Sequence, residues 1–230
     1  MSSQSQDRSI AGTARRAAFG LGAVVATLVA IAPAAQAVPV HQAVVPGCAP
    51  AAAGAPNGKQ WPTEPALTID PAAAYTATLD TTCGTVTIEL AAAAAPRTVN
   101  SFAFLAGEGY FDHTRCHRLT TQGIYVLQCG DPTATGMGGP GYKFVDENLA
   151  GAVYPAGTVA MANAGPGTNG SQFFLVYRDT QLPPNYTPFG RITEGMDALT
   201  TVANAGVAGG GGDGTPVADV VFNAVTTAQG

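Results

Sequence analysis

The residues best suited to chemistry lie in one segment, residues 161–176, whose side chains favour the binding of an extended peptide. Asn163 follows an apolar run and can offer backbone groups to a neighbouring chain, while the Gln172 amide both donates and accepts hydrogen bonds. Phe173 and Phe174 are adjacent, so on a strand one ring faces the core and the other faces away from it. These groups together predict a surface that binds a peptide rather than a small molecule.

Segment 161–176 resembles the signature of the cyclophilin-type peptidyl-prolyl isomerases, and a second segment supports the resemblance. His117 to Leu119, followed by residues 126–131, is similar to the part of those enzymes that carries a catalytic arginine and glutamine. Further blocks that match are residues 95–100, 141–144, 146–148, 189–190 and 194–196. The resemblance therefore extends over most of the chain from Tyr75 to Val225.

The resemblance implies a mainly β fold, a closed eight-stranded antiparallel cyclophilin-like β-barrel capped by two α-helices, with a substrate groove on its outer face. It implies no metal and no organic cofactor, and its expected partners are proline-containing segments of unfolded or folding proteins. The implied catalytic residues are Arg118 and Gln128. The implied substrate-binding residues are Tyr125, Val126, Ala162, Asn163, Ala164, Gln172, Phe174, Leu182 and Tyr186.

The implied reaction, rotation about an X-Pro bond, needs neither a nucleophile nor proton transfer to a leaving group. Resonance gives the peptide C–N bond a rotation barrier of about 18–20 kcal/mol, so X-Pro isomers exchange only over tens of seconds or more. In the twisted state the proline nitrogen has lost conjugation and becomes a better hydrogen-bond acceptor. The permanently charged guanidinium of Arg118 is the candidate donor to that nitrogen.

Each assignment has a plainer alternative. Arg118 could instead pair with an acid such as Asp131 or Glu89. The apolar groove residues, Val126 above all, could belong to an ordinary core. The whole domain could hold proline-containing segments as a chaperone or adaptor with negligible turnover. A third hypothesis, a hydrolase that uses Ser171, is weak because the sequence places no base to activate the serine.

Two positions in the predicted groove differ from the familiar family members, and a histidine lies beside the candidate arginine. Leu182 stands where the familiar eukaryotic members have a tryptophan, and Tyr186 stands where they have a histidine. The indole N–H that those members offer to cyclosporin is missing, so we expect weak cyclosporin binding. Because isomerisation needs no general base, we expect the His117 ring to point inward and to be hydrogen-bonded.

Short β-branched and apolar runs, joined by Gly-rich connections, predict a β architecture with two helices. We expect strands at residues 76–80, 86–90, 116–119, 125–129, 158–162, 172–177, 189–192 and 217–225. One helix is expected after Pro96 and stops at Gly107, and another is expected from Met196 to Ala203. The chain has no alternating strand and helix rhythm, which argues against a parallel α/β sheet.

The composition excludes several classes of partner. A chain of 230 residues that is 46% hydrophobic and 11% charged is long enough for one domain with a sizeable core. The net charge is −5, and the chain beyond residue 37 carries −7 because three arginines and one aspartate precede residue 38. A protein with this negative net charge lacks the excess of positive charge that binds nucleic acid or an anionic membrane. Its surface gives no reason to expect more than a monomer.

The first 37 residues have the pattern of a cleavable export signal. Two arginines at residues 15–16 precede an uncharged Ala/Val/Leu run, and Ala-Gln-Ala at residues 35–37 has the form of a cleavage site. A membrane anchor is disfavoured because the run before Pro33 is shorter than the roughly 20 residues that span a bilayer. We therefore expect a protein that is secreted or associated with the cell envelope, exported by a general or a twin-arginine route.

Residues 38–74 are predicted to be an Ala/Pro/Gly-rich lead segment, followed by the isomerase domain at residues 75–230. All four cysteines lie beyond residue 37, and an even number in an exported chain favours disulfides over metal or catalytic thiols. Four cysteines allow three pairings. Because Cys116 and Cys129 flank two neighbouring predicted strands, we prefer Cys116 with Cys129 and Cys48 with Cys83.

Overall fold

The computed structural model describes residues 45–230, so the predicted export signal and the start of the lead segment lie outside the described residues. The strands are β1 (Tyr75–Thr81), β2 (Gly84–Leu90), β3 (Arg118–Thr120), β4 (Val126–Cys129), β5 (Thr158–Met161), β6 (Phe173–Val176), β7 (Pro188–Glu194), β8 (Asp213–Gly214) and β9 (Phe222–Gln229). The helices are α1 (Pro96–Gly107) and α2 (Met196–Ala205). Neither helix, nor any other within residues 45–230, has the length and apolar character to cross a membrane.

The strands form one antiparallel sheet in the order β8-β3-β4-β6-β5-β7-β2-β1-β9. The predicted mainly β architecture with two helices is confirmed, but the sheet has nine strands rather than eight because the short β8 pairs with β3. An isolated antiparallel bridge joins Arg115 to Val221, ahead of β3 and β9. The sheet therefore curls toward a barrel without a continuous ladder between its two edge strands.

The last strand spans residues 222–229 rather than the predicted 217–225. The prediction counted the apolar residues 217–221 as strand, whereas they lie outside it. Val220 and Val221 are buried. The Cys116 N–H donates to the Val220 carbonyl oxygen, and Val221 bonds to both the N–H and the hydroxyl of Thr82, but these contacts do not form a long ladder. The ladder with β1 forms instead over the more polar residues 222–229. Backbone pairing with β1, and not side-chain hydrophobicity, determines where this strand begins and ends.

The main core lies inside the curled sheet and is rich in aromatic rings. Phe173 on β6 stacks with Phe222 at 6.1 Å and meets Phe102 of α1 at 5.5 Å, measured between ring centroids. The first turn of α1 lacks a local capping side chain, and the distant Glu147 carboxylate accepts a 2.8 Å hydrogen bond from the Thr98 backbone N–H. A carboxylate at this position also interacts favourably with the helix dipole. Helix α1 is thereby attached to the loop that carries Glu147.

The described part of the lead segment contains no helix or strand, yet it packs on the domain along its length. Both predicted disulfides are present, and the Cys48–Cys83 bond joins this segment to the turn between β1 and β2. Trp61 packs edge-on against Phe104 of α1, with ring centroids 5.1 Å apart. Trp61 thus anchors the lead segment by packing against the domain.

Candidate active site

Strand register brings the main polar side chains of the site together. Across β3 and β4, Arg118 pairs with Gln128, and across β4 and β6, Gln128 pairs with Phe174. Side chains that are paired in this way lie on the same face of the sheet. A cation, an amide and an aromatic ring that are far apart in sequence therefore share one wall.

This wall borders a groove with a volume of about 530 Å³, which adjoins a second groove of about 460 Å³. The predicted site residues that line the first groove are Arg118, Val126, Gln128, Ala162, Asn163, Phe174, Leu182 and Tyr186. The second groove is bordered by Gln128, Ala162 and Asn163 as well, and by the predicted residues Ala164 and Gln172. The sequence pattern thus selected residues that the fold brings to one continuous surface.

Tyr125 is the exception, because its ring does not face the groove. It lies 3.3 Å from the Arg178 guanidinium carbon, measured to the ring centroid, and 6.1 Å from the Tyr177 ring. Neighbouring residues of an extended chain point to opposite sides, and Val126 takes the groove side. Ile124, which was not among the predicted site residues, borders the groove instead.

An apolar cluster separate from the main core forms the floor of the first groove. Val126, Ala160 and Phe174 belong to it, so Val126 is not part of the main core as the plainer alternative held. Tyr154, also missed from the sequence, lies in this cluster and accepts a 3.1 Å hydrogen bond from the Tyr186 N–H. Its position in an irregular segment gives no periodic signal that could have revealed it.

The Arg118 guanidinium is hydrogen-bonded on two sides. Its Nε and Nη2 atoms donate to the two carboxylate oxygens of Asp213 at 2.8 and 2.7 Å, and Nη1 donates to Gln128 Oε1 at 3.2 Å. The alternative that Arg118 pairs with an acid is thus realised, but with Asp213 on β8 rather than with Asp131 or Glu89. Arg118 nevertheless remains at the groove wall.

A relay of side-chain amides fixes the orientation of Gln128. Its Nε2 donates to Gln172 Oε1 at 2.9 Å, and Gln172 Nε2 in turn donates to the carbonyl oxygens of Gly136 and Gly138 at 3.0 and 2.9 Å. Gln172 therefore has a structural role beyond its place directly before β6. It connects the loop that borders both grooves to the amide that faces Arg118.

His117 differs from its expected state. Its ring borders the groove, and neither buried ring nitrogen has a hydrogen-bond partner among residues 45–230. Burial is the main cause that lowers the pKa of His117 below its ordinary value, and the nearby Arg118 acts in the same direction while Asp131 opposes it. The ring is therefore neutral at neutral pH.

Asp131 organises the loop beside His117. Burial alone would raise its pKa, but hydrogen bonds from Thr133 and from the backbone N–H groups of Gly136 and Gly138 lower the pKa below its ordinary value. The carboxylate is fully buried and stays ionised at the centre of this turn. Its role in the structure is to shape the loop between the two grooves.

Asn163 lies at the junction of the two grooves. Its Nδ2 donates to the Asn185 carbonyl oxygen at 2.8 Å, and its Oδ1 accepts from the Gly165 N–H at 3.2 Å. The flanking residues, Ala162 and Ala164, each carry only a methyl side chain. The chain here is thus locally fixed and offers little steric obstruction to an approaching backbone.

The hydrolase hypothesis is not supported, because Ser171 is buried and its hydroxyl donates to the Gly130 carbonyl oxygen at 2.7 Å. The neighbouring side chain in hydrogen-bond range is the Tyr110 hydroxyl, at 3.3 Å, which is not a base suited to activating serine. Within the described residues, no group of three or more His, Cys, Asp or Glu side chains is placed to hold a metal ion.

Comparison with known proteins agrees with this geometry. The family model for cyclophilin type peptidyl-prolyl cis-trans isomerase/CLD matches residues 76–227. Over 184 residues the chain is 46% identical to the probable peptidyl-prolyl cis-trans isomerase B of Mycobacterium leprae, covering 74% of this chain and 60% of that protein. The corresponding protein of Mycobacterium tuberculosis is also 46% identical, with 58% of its length covered. The chain thus spans somewhat under two thirds of these relatives.

Solved structures give the same assignment. A crystal structure of a cyclophilin type peptidyl-prolyl cis-trans isomerase from Cryptosporidium parvum superposes with a TM-score of 0.61 at 29% identity, covering 68% of this chain and 99% of that one. A second crystal structure of that protein, in the presence of the dipeptide Ala-Pro, superposes with a TM-score of 0.60 at 30% identity and covers 67% of this chain and 99% of that one. This chain belongs to the cyclophilin-type peptidyl-prolyl cis-trans isomerase family.

Proposed function

We propose that this protein accelerates cis–trans rotation of X-Pro bonds in extended segments of unfolded or folding proteins, with Arg118 and Gln128 as its catalytic pair. One observation carries the proposal: Arg118 and Gln128 face each other across two paired strands, at the wall of a groove whose floor contains Phe174. Membership of the isomerase family supports the activity. The crystal structure of a similar protein in the presence of Ala-Pro supports the substrate class.

The apolar floor provides the site for the proline ring. Val126 and Phe174 are well packed, at 2% and 4% exposure, so the floor of the groove is already ordered before a ring binds. Leu182 and the Tyr186 ring border the same part of the groove. Covering the ring with these side chains removes apolar surface from water, which favours binding at about 25 cal/mol per Å².

The polar residues hold the peptide backbone on either side of the proline. The Gln128 amide, oriented by Gln172 and Arg118, uses one N–H and one oxygen lone pair on them, which leaves its second N–H and second lone pair for the peptide. Because the Asn163 side chain is engaged by Asn185 and Gly165, the main chain of Asn163 is the part that binds the peptide. Holding one side of the bond while the other turns needs only such fixed contacts.

Arg118 lowers the energy of the twisted state. As the bond turns, the proline nitrogen loses conjugation and becomes an acceptor for a guanidinium N–H. The Nη1 atom, 3.2 Å from Gln128 Oε1, already lies on the side of the guanidinium next to the backbone-binding amide. The interaction strengthens only in the transition state, and such an interaction raises the rate of turnover rather than the affinity.

An extracytoplasmic location is part of the proposal. Two disulfides within the described residues fit an oxidising compartment better than the cytoplasm. The proposed clients are therefore exported proteins whose folding is limited by proline isomerisation. The export signal itself, residues 1–37, lies outside the described residues.

A second candidate function is a binding module that holds proline-containing segments with little or no turnover. The observation that favours it is the Asp213 carboxylate, which occupies two donor atoms of Arg118 and partly neutralises the charge. Leu182 and Tyr186, which replace the tryptophan and histidine of the familiar eukaryotic members, alter the same groove. Binding without acceleration of exchange would favour this alternative.

The proposal is tested by measuring cis–trans exchange of an Ala-Pro-Phe peptide with the protein and with Arg118→Ala. We expect fast exchange with the unchanged protein and a loss of about 100- to 1000-fold in kcat/KM in the variant, as for removal of an oxyanion donor. Arg115→Ala is the matched control, because Arg115 also pairs with an aspartate but lies outside the groove. Equal rates for Arg118→Ala and Arg115→Ala would refute the role of Arg118.

A further inference from the structure

The acid beside Arg118 is held in place by the sheet. Asp213 belongs to β8, where it pairs with Thr120, and the following Gly214 pairs with Leu119. The Thr121 N–H donates to the Gly212 carbonyl oxygen at 2.8 Å and extends the same pairing. These contacts fix the backbone of Asp213 directly beside the strand that begins with Arg118.

The glycine-rich segment before Asp213 makes this approach possible. A Cβ at Gly212 would lie 2.7 Å from the Gln122 side chain, and Gly209 and Gly210 have φ values of +82° and +80°. Positive φ angles are strained for residues other than glycine. The glycine run therefore has a structural function: it returns the chain to β3 and places a carboxylate at the groove wall.

The two edges of the Arg118 guanidinium have different hydrogen-bond partners. Asp213 takes Nε and Nη2 in a bidentate arrangement, while Nη1 is directed to Gln128. Bidentate pairing fixes the plane of a guanidinium as well as its position. Among the groove-lining residues in the described part of the chain, Asp213 is the one carboxylate, and the bond from Arg118 holds its pKa below the ordinary value.

We propose that Asp213 is a positioning residue that orients the Arg118 guanidinium toward the twisted prolyl bond, an inference that rests on the proposed isomerase function. Arginine has a long flexible side chain, and Arg118 is about two fifths exposed, so the groove alone does not fix it. With Asp213 on one edge, the remaining N–H groups of the guanidinium face the groove before a peptide binds. The catalytic donor is thereby pre-organised.

The first test compares Asp213→Asn and Asp213→Glu with Asp219→Asn as the matched control. Asp219 also forms an ion pair with an arginine, Arg115, but does not border the groove. Asp213→Asn is expected to lower kcat on the order of tenfold to a hundredfold with KM changed less than about twofold. Asp213→Glu keeps a carboxylate and should recover most of the loss, and Asp219→Asn should leave both constants unchanged.

A double-mutant cycle separates positioning from a general effect on the fold. In an Arg118→Ala background, Asp213→Asn should cost nothing further, because the group that it positions is gone. Additive losses would mean that Asp213 acts through the fold and would overturn the proposal. A kcat for Asp213→Asn equal to or above that of the unchanged protein would also overturn it, and a higher value would show that the ion pair restrains Arg118.

A spectroscopic measurement keeps the inference testable even if the protein does not accelerate exchange. The Arg118 Nε–H signal should exchange slowly with water in the unchanged protein and in Asp219→Asn, and should be lost in Asp213→Asn. An inactive protein with this pattern would refute the proposed isomerase function while retaining Asp213 as the residue that orients Arg118. An unchanged Nε–H signal in Asp213→Asn would refute the positioning role regardless of activity.

Discussion

Phe173 and Phe174 are consecutive residues of one strand and are both buried, yet they belong to different parts of the molecule. Phe173 packs into the aromatic main core, and its partner across the strand pair is Cys129, which carries a disulfide. Phe174 packs into the groove floor, and its partner is Gln128. Strand alternation thus places stabilising groups on one side and ligand-binding groups on the other, so burial alone does not tell which task a residue serves.

Truncating a side chain on the core face of β6 should cost the most stability. Phe173→Ala should lower the free energy of unfolding by about 3–5 kcal/mol, because it leaves a cavity among packed rings that cannot collapse. Urea denaturation measures the loss. If Phe173→Ala were as stable as Phe174→Ala but bound peptide more weakly, the division between the two faces would be wrong.

The disulfide on the core side gives the next largest effect. Replacing Cys116 and Cys129 by alanine removes a link across 13 residues, for which the chain-entropy relation gives about 3 kcal/mol of stability. Isomerase activity per folded molecule should change little, since neither cysteine borders the groove. Stability is measured by urea denaturation and activity by peptide exchange well below the transition. Lost activity with unchanged stability would contradict the expectation.

On the groove face of β6, truncating a side chain should weaken peptide binding more than it lowers the stability of the fold. Phe174→Ala should lower the affinity for an Ala-Pro peptide on the order of tenfold, or about 1.4 kcal/mol, because the ring that faces the ligand is lost. The loss of unfolding free energy should be smaller than for Phe173→Ala, since water can enter the space that opens to the groove. A chemical-shift titration gives the affinity, and an unchanged affinity would count against the groove floor as the proline site.

His117, at the groove margin, gives the smallest effect, and it depends on pH. The folded state holds its ring neutral with a lowered pKa, whereas the unfolded chain protonates near pH 6.5. The unfolded state therefore binds more protons below about pH 6.5, so the free energy of unfolding falls as the pH drops through that value. His117→Gln should reduce this slope in urea titrations between pH 7.5 and pH 5. Identical slopes would show that His117 does not titrate in this way.

Local patterns in the sequence predicted much of the fold and most of the groove. The alternation in segment 161–176 placed Phe173 and Phe174 on opposite faces, and the strands around Cys116 and Cys129 led to the correct pairing. The shift of Tyr125 out of the groove has a local cause: Val126 occupies the groove side, and adjacent residues alternate. An error of one position in the strand pattern reverses the face on which a side chain lies.

The features that could not be predicted depend on contacts between distant parts of the chain. Strand β8 has only two residues, and nothing in a run of glycines indicates that Asp213 will lie beside Arg118, 95 positions away. The carboxylate that caps α1 comes from Glu147, on a loop 49 residues beyond Thr98. Such contacts are decided by how the sheet closes, and short segments carry little signal for them.

Exchange measured at saturating peptide shows whether the Arg118 guanidinium promotes rotation of a bound prolyl bond. We would compare the cis–trans exchange of bound Ala-Pro-Phe on the unchanged protein with that on Arg118→Lys, which keeps the charge but loses the planar donor fork. The peptide should still bind to the variant, while its exchange should slow on the order of 100-fold. Equally fast exchange on Arg118→Lys would contradict it.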